Sequence, residues 1–327
     1  MIRSHREQAV ALLASALLLL LAPAAAGAVE KASLVLHWRP QAQFAGIYTA
    51  LHKGFYAEEG LDLEVIPGGP DISPVGMLLR GRADYATMFL SAALRHRGEG
   101  APIVNVGQIG QESALLLVAK RSSGIERLDD LDGARVGTWN EDFQIQPRAL
   151  FAREGLDVEM VRVSPSFELF MRGGVEAVTA MWYNEYHTLL SYGLTPSDLT
   201  TFFFSDLGLD IPEDGFYCLE STWEHAPETA RKLVSATLRG WEYAFDHPGE
   251  ALEIVLGVMK RCNIRANRMH QKWMLSKMEE IIRPDDADAL SSELRRGDFE
   301  FTSGMLRDCG LLDKPMDYKD FCRGPAR

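Results

Sequence analysis

A repeated phrase constrains the fold of this chain more than its composition does. Glu59-Gly60-Leu61-Asp62-Leu63-Glu64-Val65 alternates apolar and acidic residues, the period of a strand with one wet face. The phrase returns as Glu154-Gly155-Leu156-Asp157-Val158-Glu159-Met160. Leu79-Arg80-Gly81-Arg82-Ala83-Asp84 is echoed by Met171-Arg172-Gly173-Gly174-Val175-Glu176, and Thr87 in the next strand by Thr179. Order and spacing are kept, so one supersecondary unit is used twice. Strands alternating with helices in both copies predict two α/β lobes built alike. Ala114–Ala119 is expected to lead out of the first lobe and Phe216–Glu220 to lead back. From Trp223 the pattern is helical almost to the end. Pro227, Pro248 and Pro284 mark helix starts, and Asn267 can cap another.

The stretch Leu34–Tyr56 precedes the first copy. Leu34-Val35-Leu36 reads as a buried strand. The chain then exposes Trp38 and Arg39, and Pro40, with no N–H to lose, opens a helix. Phe44, Tyr48 and Leu51 recur at helical spacing. Lys53 suits the negative end of that helix, and Gly54 can stop it in the left-handed conformation. Trp38, Gln41, Gln43 and Phe44 therefore stand where a strand hands over to a helix N-terminus. In open α/β sheets that crevice binds ligands. An indole, a phenyl and two carboxamides suit a flat, uncharged, hydrogen-bonding ring. Core packing is the competing reading of Trp38 and Phe44.

Two further strands end in similar turns. Trp139, Asn140, Glu141 and Phe143 follow Arg135-Val136. Trp182, Tyr183, Asn184, Glu185 and Tyr186 follow Ala177–Ala180. A closed cleft would bring these turns against the first one. Trp38 with Trp182 or Trp139 would sandwich a ring, and Glu141, Asn184 and Glu185 would answer its N–H groups. Tyr48, Met88 and Ser91 complete the candidate ligand set.

Catalytic and metal-binding signatures are poor. The chain has no G-x-S-x-G elbow, no phosphate loop of the usual spacing and no H-E-x-x-H. His37, His52 and His96 have no Cys or His at ligand spacing. Neither a metal nor a cofactor is expected. A net charge of −12 argues against nucleic acid and anionic membrane surfaces as partners.

Residues 1–28 read as a signal peptide. Arg3 and Arg6 precede the apolar run Ala9–Ala22, and small-x-small cleavage sites follow. No later run is long enough to span a bilayer, so stable membrane insertion is not expected. A soluble, exported, periplasmic monomer is. The expected lobes are 29–118 plus 221–327, with the C-terminal helices, and 119–220. Of the four cysteines, Cys309 and Cys322 flank a Gly/Pro-containing segment and are the first candidates for a disulfide, with small buried thiols as the alternative.

The residues at this point resemble a known family. H-W-x-P-x-x-x-F-x-G-I-Y from His37, K-G-F-Y-x-E-E-G-L-D-L-E from Lys53, G-x-A-D from Gly81 and D-L-D-G-x-x-V-G from Asp130 resemble the SsuA/THI5-like (NMT1-type) group. The resemblance implies an α/β, two-lobed periplasmic-binding-protein type II fold (Venus flytrap) with a helical C-terminal region. It implies a solute-binding protein of an ABC importer, with a permease as partner. Members that bind formylaminopyrimidine, a thiamine precursor, share the tryptophan matching Trp38. A fungal branch instead makes the thiamine pyrimidine from its own histidine and pyridoxal phosphate, using iron. Aligned on Asp84, that synthase's lysine and histidine fall at Met88 and Ala92, and its C-C-C-F-C segment is reduced to Phe216-Tyr217-Cys218. The histidine of its first motif is Phe44 here, while Glu141-Asp142-Phe143 with Ile145-Gln146 resembles its E-F-G-x-I-Q run. The expectation is a binder of a small heterocycle, a pyrimidine or a flavin among them, with the synthase and a periplasmic partner of a sensor kinase as alternatives.

Overall fold

A computed structural model describes residues 29–139, 141–164, 166–284 and 289–324. The expected leader, 1–28, lies outside the described residues. Ten strands carry the chain: β1 (Glu30–Val35), β2 (Leu61–Ile66), β3 (Tyr85–Phe89), β4 (Ile103–Gln108), β5 (Leu115–Lys120), β6 (Arg135–Thr138), β7 (Glu159–Arg162), β8 (Ala177–Met181), β9 (Leu199–Phe203) and β10 (Asp214–Leu219) among the described residues. They form two sheets, ordered β2-β1-β3-β10-β4 and β7-β6-β8-β5-β9.

The sheets repeat one plan, as the doubled sequence phrase predicts. In each, three parallel strands come from the repeated unit: β1 pairs β2 from Glu30↔Leu61 to Val35↔Ile66, and β6 pairs β7 from Arg135↔Glu159 to Thr138↔Arg162. A strand from the crossing chain then adds antiparallel, β10 on β3 and β5 on β8. β2 buries Leu61 and Leu63 and exposes Asp62 and Glu64, the expected wet face. Thr87 and Thr179 occupy the same place, in the central strands β3 and β8.

The exchange of strands moves the lobe boundaries. β5 lies in the second sheet and β10 in the first, so the crossings fall at 109–114 and 204–213, N-terminal to the expected 118/119 and 220/221. A strand apolar on both faces, such as Leu115–Ala119, carries no mark of which sheet it joins.

Helices of seven residues or more cover the sheets: α1 (Ala45–Lys53), α2 (Leu90–Gly98), α3 (Ile145–Glu154), α4 (Glu185–Ser191), α5 (Pro227–Asp246), α6 (Pro248–Arg261), α7 (Arg268–Ile282) and α8 (Arg296–Asp308). Gly54 stops α1 at φ +80°. Asn267 caps α7, its Oδ1 accepting from the Met269 and His270 amides. Pro227 and Pro248 open α5 and α6 as expected. Pro284 lies just past the end of α7, and the helix start expected there falls on 285–288, outside the described residues.

All four cysteines are free, which corrects the expected Cys309–Cys322 bridge. Cys309 caps the end of α8. Cys322 is drawn to the first sheet's edge by a backbone bridge to Asn105, and its thiol bonds the Tyr318 side chain. Different elements hold the two residues.

α5 packs along α1 at a glycine crossing. A Cβ on Gly240 would lie 2.1 Å from the Gly46 carbonyl oxygen and 2.7 Å from Ala50 Cβ. The first clash is with backbone, which cannot rotate away. Gly240→Ala should therefore destabilise the protein by roughly 2 kcal/mol or more, beyond the gain from lost glycine entropy. Urea unfolding measures it, and an unchanged midpoint would contradict this packing.

Candidate ligand cleft

The end of β1 and the turn after β6 face each other between the sheets. His37 is pinned by Thr87 of β3, whose hydroxyl oxygen accepts its backbone N–H and lies within hydrogen-bond distance of its Nδ1, each at 2.9 Å. Its Nε2 lies 3.5 Å from Asp214 Oδ1. Trp38 follows, half-buried. Across the gap, Phe143 meets three rings edge-on: Trp38 at 6.3 Å, Phe89 at 5.3 Å and Trp139 at 4.8 Å between centroids. Edge-to-face contact is the favoured arrangement of aromatic quadrupoles.

Trp38, Phe89 and Phe143 wall a cavity of ≈ 240 Å³, lined also by His37, Met88, Ala92, His96 and Asp142 and by the loop from Gly69 to Pro74. Trp38 also lines a second cavity of ≈ 300 Å³. Gln41, Trp139, Asn184, Glu185, Arg39 and Arg265 complete much of that wall.

Beneath the rings lies a buried polar floor centred on Gln43. Its Nε2 donates to Asp214 Oδ2 at 3.0 Å and lies 3.2 Å from His37 Nε2, and its Oε1 accepts from Gln41 Nε2 at 2.8 Å. The Tyr183 side chain, from the other lobe, also bonds this amide. Burial dominates the ionisation of the floor. It pushes the Asp214 carboxyl up to about 7, against the opposing hydrogen bond from Gln43, and holds His37 down at about 3. Burial also raises Glu185 to about 7, although the Met181 amide and Asn184 Nδ2 both donate to it. The floor is thus built for neutral groups.

Polar contacts also tie the lobes. Arg95 of α2 pairs with Asp142 at 2.6 Å. Gln43 bonds Tyr183. The Trp273 indole N–H of α7 donates to the Trp182 carbonyl at 3.1 Å.

Of the residues expected at the site, Trp38, Met88 and Phe143 line the first, aromatic cavity. Ser91 lies deeper, beside Phe143. Gln41, Trp139, Asn184 and Glu185 line the second cavity. Gln43 and Tyr183 belong to the floor. Phe44, 1% exposed, and Tyr48, 4% exposed, are core. Trp182 does not face Trp38. It packs on Tyr186, Phe203 and Trp273, so Trp182 and Tyr186 brace α7 instead of sandwiching a ring. Asn140 and the Glu141 side chain lie outside the described residues. Sequence reasoning missed His37, Phe89, Asp142 and Asp214 as site residues. His37 adjoins Trp38 in the H-W pair, and Asp142 sits inside a turn already singled out, so adjacency was the available signal. Phe89 and Asp214 carried none.

Two lobes that exchange strands, with an aromatic cavity between them, define a periplasmic-binding-protein-like solute-binding fold. The chain belongs to the NMT1/THI5 like family, whose model matches residues 41–251. The formylaminopyrimidine-binding protein of Halalkalibacterium halodurans is 24% identical over 70% of this chain and 71% of its own length. The 4-amino-5-hydroxymethyl-2-methylpyrimidine phosphate synthase of Legionella pneumophila is 24% identical over 69% and 73%. The periplasmic aliphatic sulphonate binding protein SsuA of Escherichia coli shares the fold at a TM-score of 0.68 and 14% identity, covering 91% of this chain and 93% of that one. No helix among the described residues is long and apolar enough to cross a membrane.

The floor predicts a pH signature. Asp214 titrates near 7 when folded and near its ordinary value of about 4 when unfolded. The folded state therefore holds the extra proton between these values, and stability is lost as pH rises through the window. Asparagine does not titrate and keeps an oxygen for Gln43. Asp214→Asn should gain stability relative to the native protein from about pH 5 to about pH 8, by roughly 2–4 kcal/mol. Melting both proteins at the two ends checks this, and a constant difference would refute the buried-acid assignment.

Proposed function

We propose that this protein is the periplasmic solute-binding component of an ABC importer and captures a small aromatic heterocycle of the thiamine-pyrimidine-precursor type. The cavity between the lobes carries the reading. Its walls are rings, its hydrogen-bonding groups are His37, His96, Asp71 and Asp142, and none of its described lining residues is Lys or Arg. A planar base with N–H donors suits such a wall. A sulfonate, the ligand class for which the Escherichia coli SsuA protein is named, would find no Lys or Arg among the described lining residues, and the nearby Arg95 is already paired with Asp142. The similarity to a formylaminopyrimidine-binding protein supports the same class of ligand as the rings do.

The synthase reading has relatives behind it but lacks the residues. Met88 and Ala92 both line the cavity, at the places the resemblance assigns to the imine-forming lysine and the consumed histidine. A thioether cannot condense with an aldehyde, and a methyl group supplies no nitrogen. These residues do not fit pyridoxal phosphate chemistry at this position. Delivery to a permease, as opposed to a sensor kinase, is part of the proposal. Loss of ligand uptake on deleting the gene supports it, and intact uptake with a lost transcriptional response favours the kinase.

Mass spectrometry of undialysed protein should release an intact aromatic heterocycle. Trp38→Ala should weaken its rebinding about tenfold to a hundredfold, the roughly 1–3 kcal/mol of one lost stacking face. Unchanged affinity in a folded variant would remove Trp38 from the site. Incubation with pyridoxal phosphate, ferrous iron and oxygen should yield no pyrimidine phosphate and no histidine mass loss. Both products together would overturn the binder reading.

A further inference from the structure

A much smaller cavity, of ≈ 20 Å³, adjoins the aromatic one, and Phe89, Asp142 and Phe143 line both. Glu213 and Gln146 also line it, only 3% and 8% exposed. One oxygen of each, Glu213 Oε2 and Gln146 Oε1, is buried with no hydrogen-bond partner. The other Glu213 oxygen accepts the Ala114 amide at 2.5 Å, which fixes the carboxyl in place. The volume is that of one water or one amino nitrogen. A buried amide oxygen without a donor and a buried carboxyl oxygen without a partner are both costly, and a group rich in N–H answers both once Glu213 is ionised.

We propose that this cavity is an amino subsite, in which Glu213 and Gln146 receive the N–H groups of one primary amine or ammonium on the ligand. The inference rests on the larger cavity holding the ligand's ring. Charge supports it. Asp214, Asp210 and Glu185, all acids, face Glu213, and burial with Asp214 holds its carboxyl well above the usual range. An ammonium entering beside it favours the carboxylate, so Glu213 releases its proton to solvent as the cation binds.

The probe is methylammonium chloride, against sodium chloride at equal ionic strength, with the native protein, Glu213→Gln and Gln146→Leu. Methylammonium should raise the melting temperature of the native protein, and the rise should be largely lost in both variants. Its affinity should increase with pH around neutrality in the native protein and stay flat in Glu213→Gln, a linkage that a purely structural role would not produce. In a second arm, 4-amino-5-hydroxymethyl-2-methylpyrimidine should bind at least about tenfold tighter than its deaminated form, a preference the variants lose. Methylammonium binding without pyrimidine binding keeps the subsite and removes the ring reading. No methylammonium effect, or an effect equal in all three proteins, overturns the subsite. If Glu213→Gln fails to fold, Gln146→Leu and the native pH dependence decide.

Discussion

The cleft depends on one carboxamide. Gln43 is the group through which His37 and Gln41 of the first lobe, Tyr183 of the second and Asp214 of the crossing chain meet. An amide suits this post because it offers two donors and an oxygen with two lone pairs. A carboxylate there would be buried against the Asp214 carboxyl, and would need a counter-charge that the floor lacks. Neutrality then propagates. With no cation beside it, Asp214 rises toward neutral pH, and His37 cannot take a proton either. His37 in turn holds Phe44 and Phe89 edge to tilted face, at 5.3 Å and 4.9 Å, so the polar floor also sets the angle of the aromatic wall.

The same floor lies where the chain changes lobes. β10 begins at Asp214, and backbone amides of the opposing crossing, Ile109 and Gly110, donate to the Asp214 carbonyl. Glu213 reaches across to the Ala114 amide at the mouth of β5. Crossing segments have no sheet partner for every amide, so side-chain carboxyls fill the missing places. Acids are thus present at the hinge for a structural reason, and their proximity to the ligand cavity follows from strand exchange. A change in the protonation of these acids acts directly on the segments that join the two lobes.

The doubled phrase made the lobe plan legible, because a repeat names the strands that must occupy equivalent places. β1, β2 and β3 against β6, β7 and β8 were readable in this way. The exchanged strands were not, since Leu115–Ala119 is apolar on both faces and its partners β8 and β9 lie far along the chain, outside any local pattern. At the site, Trp38 was legible because the strand pattern stopped before it. Trp182 was misread for the same reason. An aromatic after a strand faces either the cleft or a helix laid over its rim, and only the docking of α7, with Lys277 over both Trp182 and Trp273, decides between them. The cysteines failed differently. Sequence spacing says nothing about the backbone bridge that holds Cys322 against Asn105.

The position of α7 also bears on how tightly the lobes are held. It packs on the turn Ala42–Phe44 of the first lobe and, through Trp273 and the His187–His270 stack at 4.7 Å, on α4 of the second. The Gln271 side chain on the same helix accepts the Ala42 amide. One helix therefore touches the segment that carries Gln43 and the segment that carries Tyr183. Opposite it, Arg95, its side chain only 13% exposed, pairs with the part-buried Asp142. Both sides of the cleft are thus braced by packed rings: Trp273 and the histidine stack along α7 on one, and Phe143 against Trp38 and Phe89 on the other, where Phe143 and Asp142 line the aromatic cavity.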